Sequence, residues 1–248
     1  MSSPPEPIAL HPVGEPGRIR ELVRARPVVA VWFGTLVFST GPVMVAAASV
    51  AGTVFSFWRL WIGAVVMALL AVAHWRRTGI VLHRSGVRWI VAAGAAFGVH
   101  QLLFMVALRT TSVVDVTLMN TLAPVVVAVL AVPMFGERPG VAFRLWSLVA
   151  IAGGVVVAVV GSAGPQGQPV GMLLAAGNVV FYSLFFVWSK QARNQVETIT
   201  FLAGMTIVAA VVVGAYALVS GAPVTGIDLH DLAPVSYTHL TLPTIYSV

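Results

Sequence analysis

Apolar residues along this chain are gathered into seven long stretches, at 27–48, 53–74, 89–109, 113–136, 143–161, 169–188 and 198–219. Short polar gaps separate them. A helix rises about 1.5 Å per residue, so roughly 20 residues are needed to cross a hydrocarbon layer roughly 30 Å thick. The pattern therefore predicts seven transmembrane helices and an all-α, polytopic membrane protein. Residues 1–26 carry Pro, Glu and Arg with too few apolar groups to build a core, and read as a flexible tail. The first stretch exceeds the usual length of a signal-peptide core and lacks a small-residue cleavage site, so it is expected to remain as a helix.

Composition points the same way: 58% of the 248 residues are hydrophobic, 9% are charged, and the mean hydropathy is +0.95. A net charge of +6 and a pI near 10.8 raise the question of nucleic acid. The basic residues are not clustered on one face or tail, which argues against a nucleic-acid partner. The expected partners are the lipid bilayer and a small-molecule substrate. Cysteine is absent, which excludes disulfides, thiolate metal sites and cysteine nucleophiles. No metal and no cofactor is expected.

The cations fall in alternate gaps. With the N-terminus in the cytoplasm, Arg18, Arg20, Arg24, Arg26, Arg76, Arg77, Arg84, Arg88, Arg138, Arg144, Lys190 and Arg193 all lie inside, twelve of the 14 Lys and Arg residues. The outer gaps hold Arg109, and Arg59 lies within the second stretch. This bias predicts a multi-pass protein of the cytoplasmic membrane with a cytoplasmic N-terminus. Trp75, Trp89, Trp146 and Trp188 fall at inner ends, where an indole keeps its ring apolar and its N–H wet.

A repeat is faintly visible. Gly34-Thr35-Leu36-Val37-Phe38 in the first stretch aligns with Gly177-Asn178-Val179-Val180-Phe181 in the sixth. A unit of five helices is odd, so a second copy crosses in the opposite sense, and inverted repeats are characteristic of transporters. Phe57-Trp58-Arg59, the close Phe104-Met105-Val106-Ala107-Leu108-Arg109-Thr110-Thr111-Ser112, Leu122-Ala123-Pro124, Phe135-Gly136-Glu137-Arg138-Pro139 and Ile151-Ala152-Gly153-Gly154-Val155 follow in order. Together they resemble the EamA-like family of the drug/metabolite transporter superfamily. The resemblance implies two five-helix repeats and transport of small organic metabolites or drugs. Here residues 27–161 supply one repeat and 162–234 the start of an inverted second.

The last residues resemble something other than a natural tail. The adapter sequence GTC TCT TAT ACA CAT CTG ACG CTG CCG ACG of transposase-based sequencing translates to Val235 through Thr244 in order. Ile245-Tyr246-Ser247 then matches an index and Val248 the following GTG. The expectation is that residues 235–248 are adapter-derived, that the authentic sequence stops near Pro234, and that this chain alone is an inactive fragment.

Polar groups at membrane depth need partners or a water-filled cavity. Ser39 and Thr40 precede Gly41-Pro42, where Pro42 kinks the helix and frees carbonyls for a substrate, or leaves the hydroxyls bonded to their own helix. His100 and Gln101 sit midway along the third stretch. They contact substrate or bond between helices, and His100 has the further option of carrying a coupling proton. Asn120, with Thr117 and Thr121, lies one turn before Pro124. Asn178 and Tyr182, four residues apart, share one face of the sixth stretch. These seven, Ser39, Thr40, His100, Gln101, Asn120, Asn178 and Tyr182, are the candidate substrate-binding residues. Structural or gating roles fall to Pro42, Pro124, Arg59 and Glu137. Arg59, about 10 Å below the outer surface, snorkels beside Trp58 and Trp61, pairs with Asp115, or meets a substrate carboxylate. Gly94 and Gly98 allow close helix approach.

An intramembrane enzyme is the alternative, but G-x-S-x-G, H-E-x-x-H and paired carboxylates are all missing from the stretches, so no enzymatic activity is expected. A seven-helix retinal protein needs a mid-helix lysine, and the only lysine, Lys190, ends a stretch. An inside N-terminus also opposes a receptor. No phosphate-binding P-loop is present for direct nucleotide coupling.

Overall fold

Backbone that crosses hydrocarbon has to bond to itself, and the helix does this within one segment. The computed structural model describes residues 51–79, 84–136, 139–163 and 169–225, with Val28, Trp32 and Thr35. These form α1 (Gly52–Thr78), α2 (Arg84–Thr110), α3 (Val113–Asn120), α4 (Ala123–Phe135), α5 (Val141–Ala163), α6 (Pro169–Arg193) and α7 (Thr198–Val219). Taking α3 and α4 as one crossing, six segments among the described residues are long and apolar enough to span a membrane. They correspond to the second through seventh apolar stretches. Most of the first stretch lies outside the described residues, with the tail 1–26 and residues 235–248.

The helices outrun their apolar cores. α2 starts at Arg84 rather than 89, and α6 continues to Arg193 rather than 188. Hydropathy registers the buried or lipid-facing part alone, whereas Arg and Lys extend a helix by snorkelling their charged heads to water. The fourth stretch is not one helix. Thr121 and Leu122 form a turn of shorter hydrogen bonds, Thr121 N to Leu118 O and Leu122 N to Met119 O, both 3.0 Å. Pro124 accounts for it: its nitrogen has no proton to donate to the Asn120 carbonyl four residues back, and its ring crowds that carbonyl. Gly136, at φ +68°, closes α4 in the left-handed conformation that suits glycine.

α2 is the centre of the bundle. Its most extensive contact is with α6; α1 packs along α7, and α2 also lies against α7. Lipid gives no hydrophobic drive to bring helices together, so small residues and polar bonds decide how close they come. Gly94 and Gly98 play that part. A Cβ on Gly94 would lie 2.7 Å from Val208 Cβ and 2.8 Å from Met205 O, and one on Gly98 would lie 3.1 Å from Ala209 O. The i, i+4 glycines are thus the contact of α2 with α7 inside one bundle.

Two large clusters and a small one at Met67, Ala71 and Ala203 fill the interior. Leu60, Phe97, Phe185, Phe201 and Met205 join α1, α2, α6 and α7. Phe55, Met105, Val116, Met119 and Met172 join α1, α2, α3 and α6. By contrast, Gly154 is the one buried residue among those described in α5, and Trp146 is 73% exposed. α5 meets the rest near the break, where Gly154 lies against Leu122; its other faces suit lipid.

The ends are stitched by polar contacts. Trp75 Nε1 donates to Thr200 Oγ1 at 3.0 Å, and Thr200 Oγ1 donates to Glu197 Oε2 at 3.4 Å. His74 Nε2 lies 3.2 Å from Glu197 Oε1, at ion-pair distance but out of line for a hydrogen bond. At the opposite end Trp58 Nε1 donates to Val224 O at 2.9 Å. The end of α1, the start of α2 and the α6–α7 turn therefore share one side of the bundle, which collects Arg76, Arg77, Arg88, Lys190 and Arg193.

Gly94→Val is expected to destabilise the protein by about 1–3 kcal/mol through overpacking, seen as a lower melting temperature in detergent. Gly153→Val, where no neighbour comes within 4 Å, is expected to leave it unchanged. Equal effects would remove the α2–α7 contact from this account.

Candidate functional site

The break between α3 and α4 places an amide where a continuous helix would place none. With its backbone carbonyl deprived of the usual donor, Asn120 sits at the last turn of α3 and turns its side chain to α6. Asn178 Nδ2 donates to Asn120 Oδ1 at 2.8 Å. Asn178 is fully buried, and its own Oδ1 makes no well-aligned hydrogen bond among the described residues. One turn along α6, Ser183 Oγ donates to Val179 O at 2.7 Å and lies 3.3 Å from Ala123 O, at the start of α4.

Across from Asn178 lies His100 of α2, and Asn178 reaches it through both side chain and backbone. The imidazole stacks on Tyr182, with ring centroids 4.6 Å apart and planes 27° from parallel. Phe97 and Phe104 lie at 5.6 Å and 6.0 Å on the same histidine. Tyr182 also meets Phe186 edge-on at 4.7 Å. The group is therefore an amide pair and an imidazole set in an aromatic wall. Such a wall holds flat rings by stacking while the amides and the imidazole offer both donors and acceptors. Arg59, half-buried on α1, is close enough to act on His100 electrostatically.

A second polar level lies on the α1 side. Gly52 packs on Met105 O, where a Cβ would come to 2.5 Å. One turn further along these antiparallel helices, Ser56 and Gln101 share a level. Both are buried, and Ser56 Oγ and Gln101 Nε2 lack hydrogen-bond partners among the described residues, as does His100 Nδ1. An orphaned buried polar atom costs about 1–3 kcal/mol. Three of them, on Ser56, His100 and Gln101, come at neighbouring positions beside Asn178.

The structure thus brings His100, Asn120, Asn178 and Tyr182 together around the α2–α6 contact and sets Gln101 beside them, towards α1. Ser39, Thr40, Pro42 and Glu137 lie outside the described residues. Thr117 and Thr121 turn inward on themselves: Thr117 Oγ1 donates to Val113 O at 2.9 Å and Thr121 Oγ1 to Leu118 O at 2.6 Å. Asp115 accepts from Ser112 Oγ at 2.7 Å, while Ser112 Oγ accepts from the Asp115 N–H. This reciprocal cap starts α3 and engages the carboxylate that sequence offered to Arg59. Ser56 escaped the sequence reading, because a lone hydroxyl in an apolar run ordinarily bonds back to its own helix. Its place next to Phe57-Trp58-Arg59 was the available signal. Among the described residues no group of His, Asp or Glu is arranged to hold a metal ion.

The profile of the EamA-like transporter family matches residues 25–160, more than half of the chain. The chain belongs to the EamA-like transporter family. With six spanning-capable helices among the described residues, it is a multi-pass membrane protein of a transporter family. A crystal structure of a protein 19% identical in sequence shares the fold, with a TM-score of 0.62, over 90% of this chain and 77% of that one. No curated protein sequence matches. The EamA match takes in every described helix of the amide pair and the histidine except α6.

The Asn120–Asn178 bond invites a double-mutant cycle. Each single change to Ala is expected to destabilise, and the coupling between them to be about 0.6–1.7 kcal/mol, the range of interhelical bonds in membranes. Thermal unfolding in detergent measures it, and strictly additive singles would show that the amides act separately.

Proposed function

We propose that this chain carries the solute-binding half-site of a secondary transporter for small organic metabolites or drugs, working by alternating access. The observation that carries the reading is the convergence of buried polar atoms without hydrogen-bond partners among the described residues on His100, Gln101 and Ser56, beside Asn178. His100 among them is walled by Tyr182, Phe97 and Phe104. Buried polar groups in lipid that are not spent on packing belong to a path for something polar. The bond between Asn120 and Asn178 then holds the helix break in register, and Arg59 supplies a positive charge near His100.

Inverted repeats are supported by the packing. If the first stretch maps onto the sixth, then α1 maps onto α7, and a twofold axis in the membrane plane sends their contact onto itself. α1 does lie along α7. Rocking of one such half against the other around a fixed midplane site is the motion this symmetry provides. The gathering of cations on one side supports a cytoplasmic position for that side in this reading, with the N-terminus there as well.

The absence of cysteine makes topology directly measurable. A single Ser2→Cys is expected to resist a membrane-impermeant maleimide in intact cells, and Gln166→Cys to react; the reverse result would invert the molecule. For the site, a screen of small organic solutes against the purified chain is expected to yield binders that raise its melting temperature. His100→Ala is expected to weaken them roughly 5- to 100-fold, the loss of a buried hydrogen bond worth about 1–3 kcal/mol. Tyr182→Phe keeps the stacking ring and is expected to cost less. Undiminished binding in both variants would remove these residues from the site.

A further inference from the structure

A cavity of about 520 Å³ opens between α4, α6 and α7, towards the side where the basic residues collect. Its apolar walls include Phe135, Phe186 and Phe201, and its rim carries Lys190 and Arg193. The size falls within the roughly 300–1,000 Å³ of small-molecule sites. Its described lining contains two cations and no acid. Lys190 Nζ stands 4.3 Å from the centre of the Phe135 ring, and Arg193 is exposed at the mouth.

One polar atom faces this apolar space without employment. Ser189, 8% exposed, lines the cavity, and its Oγ has no hydrogen-bond partner among the described residues. Its neighbours in lipid behave otherwise: Ser183 and Thr206 both donate to the carbonyl four residues back, at 2.7 Å. Ser189 keeps its hydroxyl for something else. The cavity also borders the candidate site. Phe186, part of its wall, touches Tyr182 edge-on, and Tyr182 stacks on His100. One layer of rings, Tyr182 and Phe186, lies between the cavity and His100.

We propose that this cavity is an inner binding site for a small amphipathic organic anion, such as an aryl carboxylate. The aromatic body lies against Phe135, Phe186 and Phe201. The carboxylate is held at the rim by Arg193, with Lys190 adding its charge, and Ser189 Oγ donates a hydrogen bond from the deep side. The site rests on the transporter reading for its role, as the chamber a solute enters before passing the ring layer. The binding itself stands on the geometry alone.

The test uses the 248-residue chain in phosphatidylcholine nanodiscs with 4-(trifluoromethyl)benzoate, followed by fluorine NMR; 4-(trifluoromethyl)benzylamine, cationic at neutral pH, serves as the charge control. Saturable binding of the benzoate and none of the benzylamine is expected. Arg193→Gln is expected to weaken it about tenfold, and Ser189→Ala severalfold. Both variants should keep the melting temperature of the parent, since Arg193 is exposed and Ser189 Oγ has no bond to lose. Equal binding of the two probes, or indifference to both substitutions, would overturn the proposal. So would abolition of benzoate binding by phosphatidylglycerol in the nanodisc, which would make the cavity a seat for anionic lipid. Benzoate binding that survives His100→Ala but falls with Arg193→Gln upholds the cavity even if the mid-depth site fails, so the two readings fail separately.

Discussion

A hydrocarbon solvent accepts and donates no hydrogen bonds, so every polar atom at depth needs a partner from the same protein or from what the protein carries. This constraint sorts the described polar residues into three kinds. Thr117, Thr121, Ser147, Ser183 and Thr206 return their hydroxyls to the carbonyl three or four residues back. They are absorbed by their helices and ask nothing of the fold. Asn120 and Asn178 cannot be absorbed so cheaply, and they find each other across α3 and α6. The remaining few, on Ser56, His100, Gln101 and Ser189, are neither absorbed nor paired. The functional readings rest on that remainder.

The same constraint explains the break between α3 and α4. Pro124 opens a helix at the depth where an unsatisfied carbonyl is most costly, and the candidate residues Asn120 and Asn178 meet beside the opening. A proline at a helix end would have cost less and placed nothing. Here it ends α3 so that Asn120 meets α6 and starts α4 so that Ala123 O lies 3.3 Å from Ser183 Oγ. The close approach of α2 to α7 through Gly94 and Gly98 has a related effect: it fixes the one helix that bears His100.

Much of this was legible along the chain. The six described crossings follow the apolar stretches, because in lipid the burden of solvation falls on composition rather than on periodicity. Their ends were not legible to the residue, because Arg84, Arg88, Lys190 and Arg193 continue the helix while leaving the hydrocarbon. Asn178 and Tyr182 announced a shared face through their i, i+4 spacing. What they face did not follow from spacing: His100 lies 78 positions before Asn178, and only packing joins them. The cavity at Ser189 was invisible for a different reason. It is lined by α4, α6 and α7 together, a product of how three helices pack rather than of any motif.

The Asn120–Asn178 bond joins residues 58 positions apart. Synthesis proceeds at about 5–20 residues per second, so Asn120 is made roughly 3–12 s before its partner. Throughout that interval the broken crossing already exists, with an amide and free carbonyls and nothing from α6 to receive them. The membrane-insertion machinery therefore has to shelter this segment, or let it wait at the bilayer surface, until the sixth stretch emerges. The feature that organises the finished site is thus also the step at which assembly of the bundle is most exposed to error.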